Sequence, residues 1–171
     1  KESLKKMSEG LIVCSACLGG EIPRLILKDR VDEAKECAKW FKSVFGEDFY
    51  LELQRHKATV PVANHETFPL QEKVNNTLIS FSKELGIKLI CSNDVHFVNE
   101  SDADAHDRLI CLSTGKFLSD EKRMLYSKQE WLKTQEEMNE LFADVSQSLS
   151  NTHEILDKVE FDSIDHDPIL P

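Results

Sequence analysis

No stretch of this 171-residue sequence approaches the ~18–20 apolar residues that a membrane-spanning helix needs. Nor is there an excess of positive charge. Lys and Arg number 21 against 31 Asp and Glu, for a net −10. That balance argues against a free-standing domain that grips nucleic acid through its phosphates. There is no signal peptide and no even cysteine set, only Cys14, Cys17, Cys37, Cys91 and Cys111 at irregular spacing. Free thiols in a reducing cytoplasm are expected, rather than a disulfide framework. No repeat is visible beyond a strand–helix period. What is present is globular: 40% hydrophobic and 30% charged residues, in a length that suits one domain.

The charge is unevenly placed. Residues 130–171 carry Lys133 and Lys158 against eleven acidic residues, while residues 1–129 are nearly neutral. The acidic stretch reads as a solvated helical surface. The opening Lys1–Gly10 lacks an initiator Met and reads as the last turns of a helix with Gly10 as its stop. The closing Pro168-Ile169-Leu170-Pro171 reads as an extended linker. Both ends lead us to expect a fragment.

Three short apolar runs predict buried strands: Leu11–Cys14, Phe49–Leu53 and Lys88–Cys91. Helical patterns lie between them. Val31–Phe45 ends at Gly46, Pro69–Leu85 ends at Gly86, and a shorter helix follows Gly19. Strands alternating with helices predict parallel pairing, and three such strands suggest part of a larger α/β barrel or open sheet. Beyond residue 100 the chain reads as helical. Asp102–Ser113 has Ser101 as a possible N-cap. Ser127 and Thr134 each precede a predicted short helix, the latter in a Thr134-x-x-Glu137 capping box, and Val145–Val159 forms a tail.

In α/β barrels and open sheets, functional groups gather at the carboxyl ends of strands. Cys14-Ser-Ala-Cys17 follows the first strand, Gln54-Arg-His56 the second and Ser92-Asn-Asp-Val-His96 the third. Asp94 and His96, two apart in an extended stretch, point the same way and can hold one divalent ion or bridge two. A mixed Cys, Asp and His set suits zinc, and manganese or iron where oxygen and nitrogen dominate. A second reading stays open, in which Asp94 caps a loop and His96 is a surface residue. Cys14 lies within its strand as a small hydrophobe, which leaves Cys17 as the better ligand. The absence of a second C-x-x-C excludes a four-cysteine zinc site, and neither Gly19-Gly20 nor Thr114-Gly-Lys116 has phosphate-loop spacing. His106-Asp107 reads as a helix-surface pair or second-shell group. Trp40 and Trp131 read as packing residues, without the aromatic–basic interleaving of single-strand binders.

Taken together, Gly10-Leu-Ile-Val-Cys-Ser-Ala-Cys-Leu-Gly-Gly-Glu-Ile-Pro23, Phe49-Tyr-Leu-Glu-Leu-Gln-Arg-His56, Ser92-Asn-Asp-Val-His-Phe97, Asp104-Ala-His-Asp107 and Thr114-Gly-Lys116 closely resemble one family. It is the PHP (polymerase and histidinol phosphatase) domain family of bacterial DNA polymerase III alpha subunits. Glu137-Met-x-Glu-Leu-Phe142 and Asn151-Thr-x-Glu-Ile155 fit the same family. The resemblance implies an α/β fold, the second half of a distorted (β/α)7 barrel. Residues 1–115 would be the partial barrel with three parallel strands, and 116–171 a helical extension toward the polymerase palm.

The resemblance also implies metal ligands at Cys17, Asp94 and His96, with His56 and His106 as possible second-shell residues. The family's early H-x-H and its other ligands have no counterpart here. Zinc, manganese or magnesium would serve phosphoester hydrolysis of the 3′–5′ exonuclease type in the full-length domain. The fragment itself would bind metal weakly and catalyse nothing. The implied partners are DNA and replicase subunits of the full-length protein, with no membrane and no direct nucleic-acid binding by the fragment, which could dimerise through exposed apolar edges. A scaffold without catalysis, an unrelated metallohydrolase half-barrel and a complete small α/β protein are the other readings.

Overall fold

A computed structural model describes residues 1–160. Three strands, β1 (Val13–Cys14), β2 (Phe49–Leu53) and β3 (Leu89–Cys91), form one parallel sheet in the order β1-β2-β3. The register pairs Val13 with Phe49 and Leu51 with Leu89. The helices are α1 (Glu2–Lys6), α2 (Glu21–Leu27), α3 (Val31–Phe45), α4 (Thr67–Leu85), α5 (Ala103–Thr114), α6 (Gln135–Leu141) and α7 (Gln147–Lys158). Among the described residues, no helix is long and apolar enough to cross a membrane. The predicted linker Pro168–Pro171 lies outside the described residues.

Central β2 is the hydrophobic heart of the molecule. Phe49, Tyr50, Leu51 and Leu53 are all buried, as expected of a parallel strand covered on both faces. The i, i+3, i+4 stripe of α3 delivers Ala34, Cys37, Ala38 and Phe45 to this core, and that of α4 delivers Val74, Leu78 and Phe81. Gly86 ends α4 in the left-handed conformation (φ 62°) that glycine adopts without steric cost.

Helix α7 packs along β3. Leu51 N donates to Lys88 O and Ser92 N to Leu53 O, so the alternate residues Leu89 and Cys91 turn their backbone groups away from β2. There Asn151 Nδ2 donates to Leu89 O (2.8 Å) and Cys91 N donates to Thr152 Oγ1 (3.2 Å). Side chains of a helix thus satisfy part of an edge that would otherwise seek another strand. At the other end of the sheet, Lys158 Nζ donates to the Tyr50 hydroxyl, and Lys88 and Tyr50 both donate to Glu154. Lys88, Tyr50 and Lys158 together hold the Glu154 carboxyl down at about 2.

Several local expectations are corrected. Helix α1 stops at Lys6, where Ser8 Oγ donates to the freed Lys5 carbonyl, and Gly10 (φ 74°) belongs to the turn beyond. The first strand is two residues long because its one partner, β2, begins only at Phe49. A 3-10 turn at Glu100–Asp102, capped by Asn99 rather than Ser101, precedes α5. No helix follows Ser127, whose hydroxyl is spent on Glu130. The expected Thr134–Glu137 capping box, by contrast, forms in both directions.

Candidate functional site

The carboxyl ends of the three strands open on one side of the sheet, and a cleft of about 240 Å³ lies there. Cys17, Gln54, His56, Gln71, Asp94, Tyr126 and Glu130 are among the residues that line it. Each strand supplies a segment. After β1 the chain turns at Ala16 (φ 63°), and after β3 it turns at Asp94 (φ 44°). A left-handed conformation at a non-glycine residue is strained and persists only where its surroundings fix it.

Two features fix the first turn. Ser15 Oγ accepts from Glu52 N (2.8 Å), and Gly20 N donates to Cys17 O (2.8 Å). A Cβ on Gly20 would sit 2.3 Å from the Ser15 carbonyl oxygen, so the second glycine of the pair permits a contact that no side chain allows. Cys17 is half-buried. Cys14, inside the strand, is a different thiol: burial, with the Glu52 charge, pushes it up to about 11.

His56 is 3% exposed and fully engaged. Its backbone N donates to Gln71 Oε1 (2.7 Å), which leaves Gln71 Nε2 to donate to His56 Nδ1 (3.0 Å). The ring proton therefore sits on Nε2, which donates to the Asn93 carbonyl (3.0 Å). Burial lowers the His56 pKa despite Glu130, whose Oε1 lies 3.8 Å from Nδ1. A buried imidazole with both nitrogens occupied braces the loop beyond β3 and has no lone pair left for an ion.

His96 is exposed and placed differently. Its Nδ1 donates to the Asp94 carbonyl (2.6 Å), which leaves the Nε2 lone pair open. Its ring lies 4.7 Å from Tyr126 and 5.5 Å from His106, centroid to centroid. His106 is half-buried, and burial together with the His96 ring lowers its pKa. Its neighbour Asp107 takes a two-pronged ion pair from Arg123. Burial, then Asp94, Glu130 and Cys17, raise the Tyr126 pKa, so this phenol faces a negative cleft.

Cys17 and Asp94 thus share one cleft with His56, and His96 and His106 form an aromatic group with Tyr126 beside it. Among the described residues, no three His, Cys, Asp or Glu side chains come close enough to hold a metal ion. The donor chemistry of Cys17, Asp94 and His96 suits a divalent cation. Their arrangement in this chain does not make a resident metal centre by itself. A larger open groove, about 1020 Å³ between α6 and α7, is lined by none of the predicted site residues.

Sequence reasoning missed Asn93, Ser127 and Glu130, all buried at the cleft's back. Charge alone places Glu130 in the solvated acidic stretch. It is instead 3% exposed, held by Ser127 and Gln129. The Ser127-x-x-Glu130 spacing was the available signal: it is a capping-box pair that closes a loop instead of starting a helix.

Comparison with known proteins places these features in a class. Residues 1–56, which include the first two strand ends, match the family model described as the PHP domain. More specifically, the chain is 47% identical to the DNA polymerase III subunit alpha of Borreliella burgdorferi, over 100% of this chain and 14% of that protein. The alpha subunit of Campylobacter jejuni is 39% identical over 92% of the chain, and that of Thermus aquaticus 35% over 91%. The chain is similar to DNA polymerase III alpha subunits over nearly its whole length, and to the PHP domain over residues 1–56. It spans 12% to 14% of the length of these three relatives.

Proposed function

We propose that this chain is part of the PHP module of a bacterial replicative DNA polymerase, with a strand-end cleft that belongs to a phosphoester-hydrolysing site of the 3′–5′ exonuclease type. The observation that carries this reading is the cleft itself, which is lined by residues from beyond the ends of all three strands, Cys17 and Asp94 among them. The second half of a distorted (β/α)7 barrel, divided near residue 115 from a helical extension toward the palm, is the architecture this reading requires. Zinc, manganese or magnesium would be held by Cys17, Asp94 and His96 only together with ligands from elsewhere in the full-length protein, where the ion would activate water and offset phosphate charge.

What this chain's own residues do is more limited. His56 holds the Asn93 carbonyl, and thereby the start of the Asp94 loop. His96 keeps Nε2 free by spending Nδ1 on the Asp94 carbonyl. Nucleotide transfer lies outside this segment, and the partners are DNA and other replicase subunits in the bacterial cytoplasm. A scaffolding role without catalysis would rest on one observation, that the described residues gather no three-donor group.

One experiment separates the two. The full-length protein is assayed with a 5′-labelled single strand and with bis(p-nitrophenyl) phosphate, as wild type and as Asp94→Asn and His96→Asn. The hydrolytic reading expects wild-type cleavage and at least a tenfold loss in both variants, with polymerase activity retained. A wild type inert toward both substrates, or variants that cleave normally, would overturn it.

A further inference from the structure

We propose that Asn93 and Glu130 are positioning residues, which pin the two ends of the Asp94–His96 turn to one loop, residues 127–131, and so aim it at the cleft. The inference rests on the hydrolytic reading of the cleft only for its consequence in activity. The pinning stands on contacts of its own.

Asn93 is 6% exposed and does not line the cleft. Its Nδ2 donates to two carbonyls of the loop around Glu130, Gln129 O (2.8 Å) and Trp131 O (2.7 Å), while its backbone carbonyl accepts from His56 Nε2 (3.0 Å). The next residue is Asp94, in its left-handed conformation. On the far side of the turn, His96 N donates to Glu130 O (2.8 Å), Phe97 pairs with Trp131, and Leu132 N donates to Phe97 O (3.1 Å). The turn is therefore held before Asp94 by Asn93 and after Val95 by the Glu130 backbone.

The loop that does the holding is rigid because of the Glu130 side chain. Its carboxylate accepts from Ser127 N (3.1 Å), Ser127 Oγ (2.5 Å) and Gln129 N (2.9 Å), with Ser127 wholly buried. A buried carboxylate is costly unless its lone pairs are met by donors. Here three donors within three residues meet it, and among the described residues no Lys or Arg is paired with it. The acid serves as the keystone of a closed loop. Strain at Asp94 is over-determined in the way that strained functional turns require.

The test uses hydrogen exchange in the full-length protein, read at single amides, with bis(p-nitrophenyl) phosphate hydrolysis measured on the same samples. Asn93→Asp replaces the two-carbonyl donor with an acceptor, and Glu130→Ala opens the loop. Both should speed exchange at His96 at least tenfold, leave the sheet amides of Leu51 and Ser92 unchanged, and lower hydrolysis about tenfold. Glu130→Gln keeps an oxygen for Ser127 and should restore most of the protection and the rate. Ser127→Ala, a gentler change, should give an intermediate rise at His96. Unchanged His96 exchange in Asn93→Asp and Glu130→Ala, or a rise shared equally by Leu51 and Ser92, would overturn the proposal. A wild type without hydrolysis whose His96 amide still responds would sink the hydrolytic reading and leave the pinning supported.

Discussion

Acidification should destabilise this protein through His56 before its carboxylates titrate. The imidazole is neutral and buried, with Nδ1 accepting from Gln71 and Nε2 donating to Asn93. Protonating Nδ1 would set an N–H against the Gln71 amide N–H, because Gln71 Oε1 is already held by His56 N. Desolvation adds to this and outweighs the attraction of Glu130 at 3.8 Å, so the folded pKa lies below the usual value near 6.5. The sign follows from linkage. The unfolded chain takes up a proton that the folded chain refuses, so His56's contribution is fully present above about pH 6.5 and is lost as pH falls toward the folded value. One such proton is worth up to about 1.4 kcal/mol per pH unit, so the loss between pH 7.5 and 5.5 reaches at most about 1.4 kcal/mol. Urea unfolding followed by Trp40 and Trp131 fluorescence at half-unit steps measures it. His56→Gln should be less stable at pH 7.5 but lose less on acidification, since His106 titrates in both proteins and cancels. A wild type that gains stability toward pH 5.5 would mean a His56–Glu130 ion pair and refute the reasoning. Parallel pH curves for the two proteins would refute it too.

Other substitutions test the packing behind the cleft. Leu51→Ala, at the centre of β2 and wholly buried, should cost about 2–5 kcal/mol in chemical denaturation. Gly20→Ala drives a Cβ against the Ser15 carbonyl and should cost about 1–3 kcal/mol, seen as a lower Tm, because backbone rather than a flexible side chain must yield. Thr134→Ala removes the hydroxyl that accepts from Glu137 N and should lower stability by about 0.5–2 kcal/mol, with exchange at the start of α6 speeding most.

The sequence was most informative where periodicity and punctuation agree. The stripes ending at Gly46 and Gly86 announced α3 and α4, and the apolar run Phe49–Leu53, interrupted by Glu52, announced β2, the strand with neighbours on both sides. Pairing decides the rest. Leu11 and Ile12 look like strand residues, yet β1 is an edge whose partner begins at Phe49. The amphipathic pattern of α7 promised a helix but not its seat on β3, because that seat depends on the Asn151 amide and the Thr152 hydroxyl meeting backbone groups more than sixty positions away.

At the cleft, strand-end logic located Cys17, His56 and Asp94, because they follow strands directly. Charge counting misplaced Glu130, since its burial is decided by Ser127 and Gln129 within three residues and leaves no mark on composition. His56 shows the same limit. Its residue type allows a ligand, and only the Gln71 and Asn93 contacts reveal that both nitrogens are taken.

The most direct check on the cleft's role is anomalous scattering from crystals of the full-length protein soaked in manganese. A peak bound by Asp94 and His96, with Cys17 beside it, is the predicted result. Density confined to other sites, with these three side chains bare at saturating manganese, would contradict it.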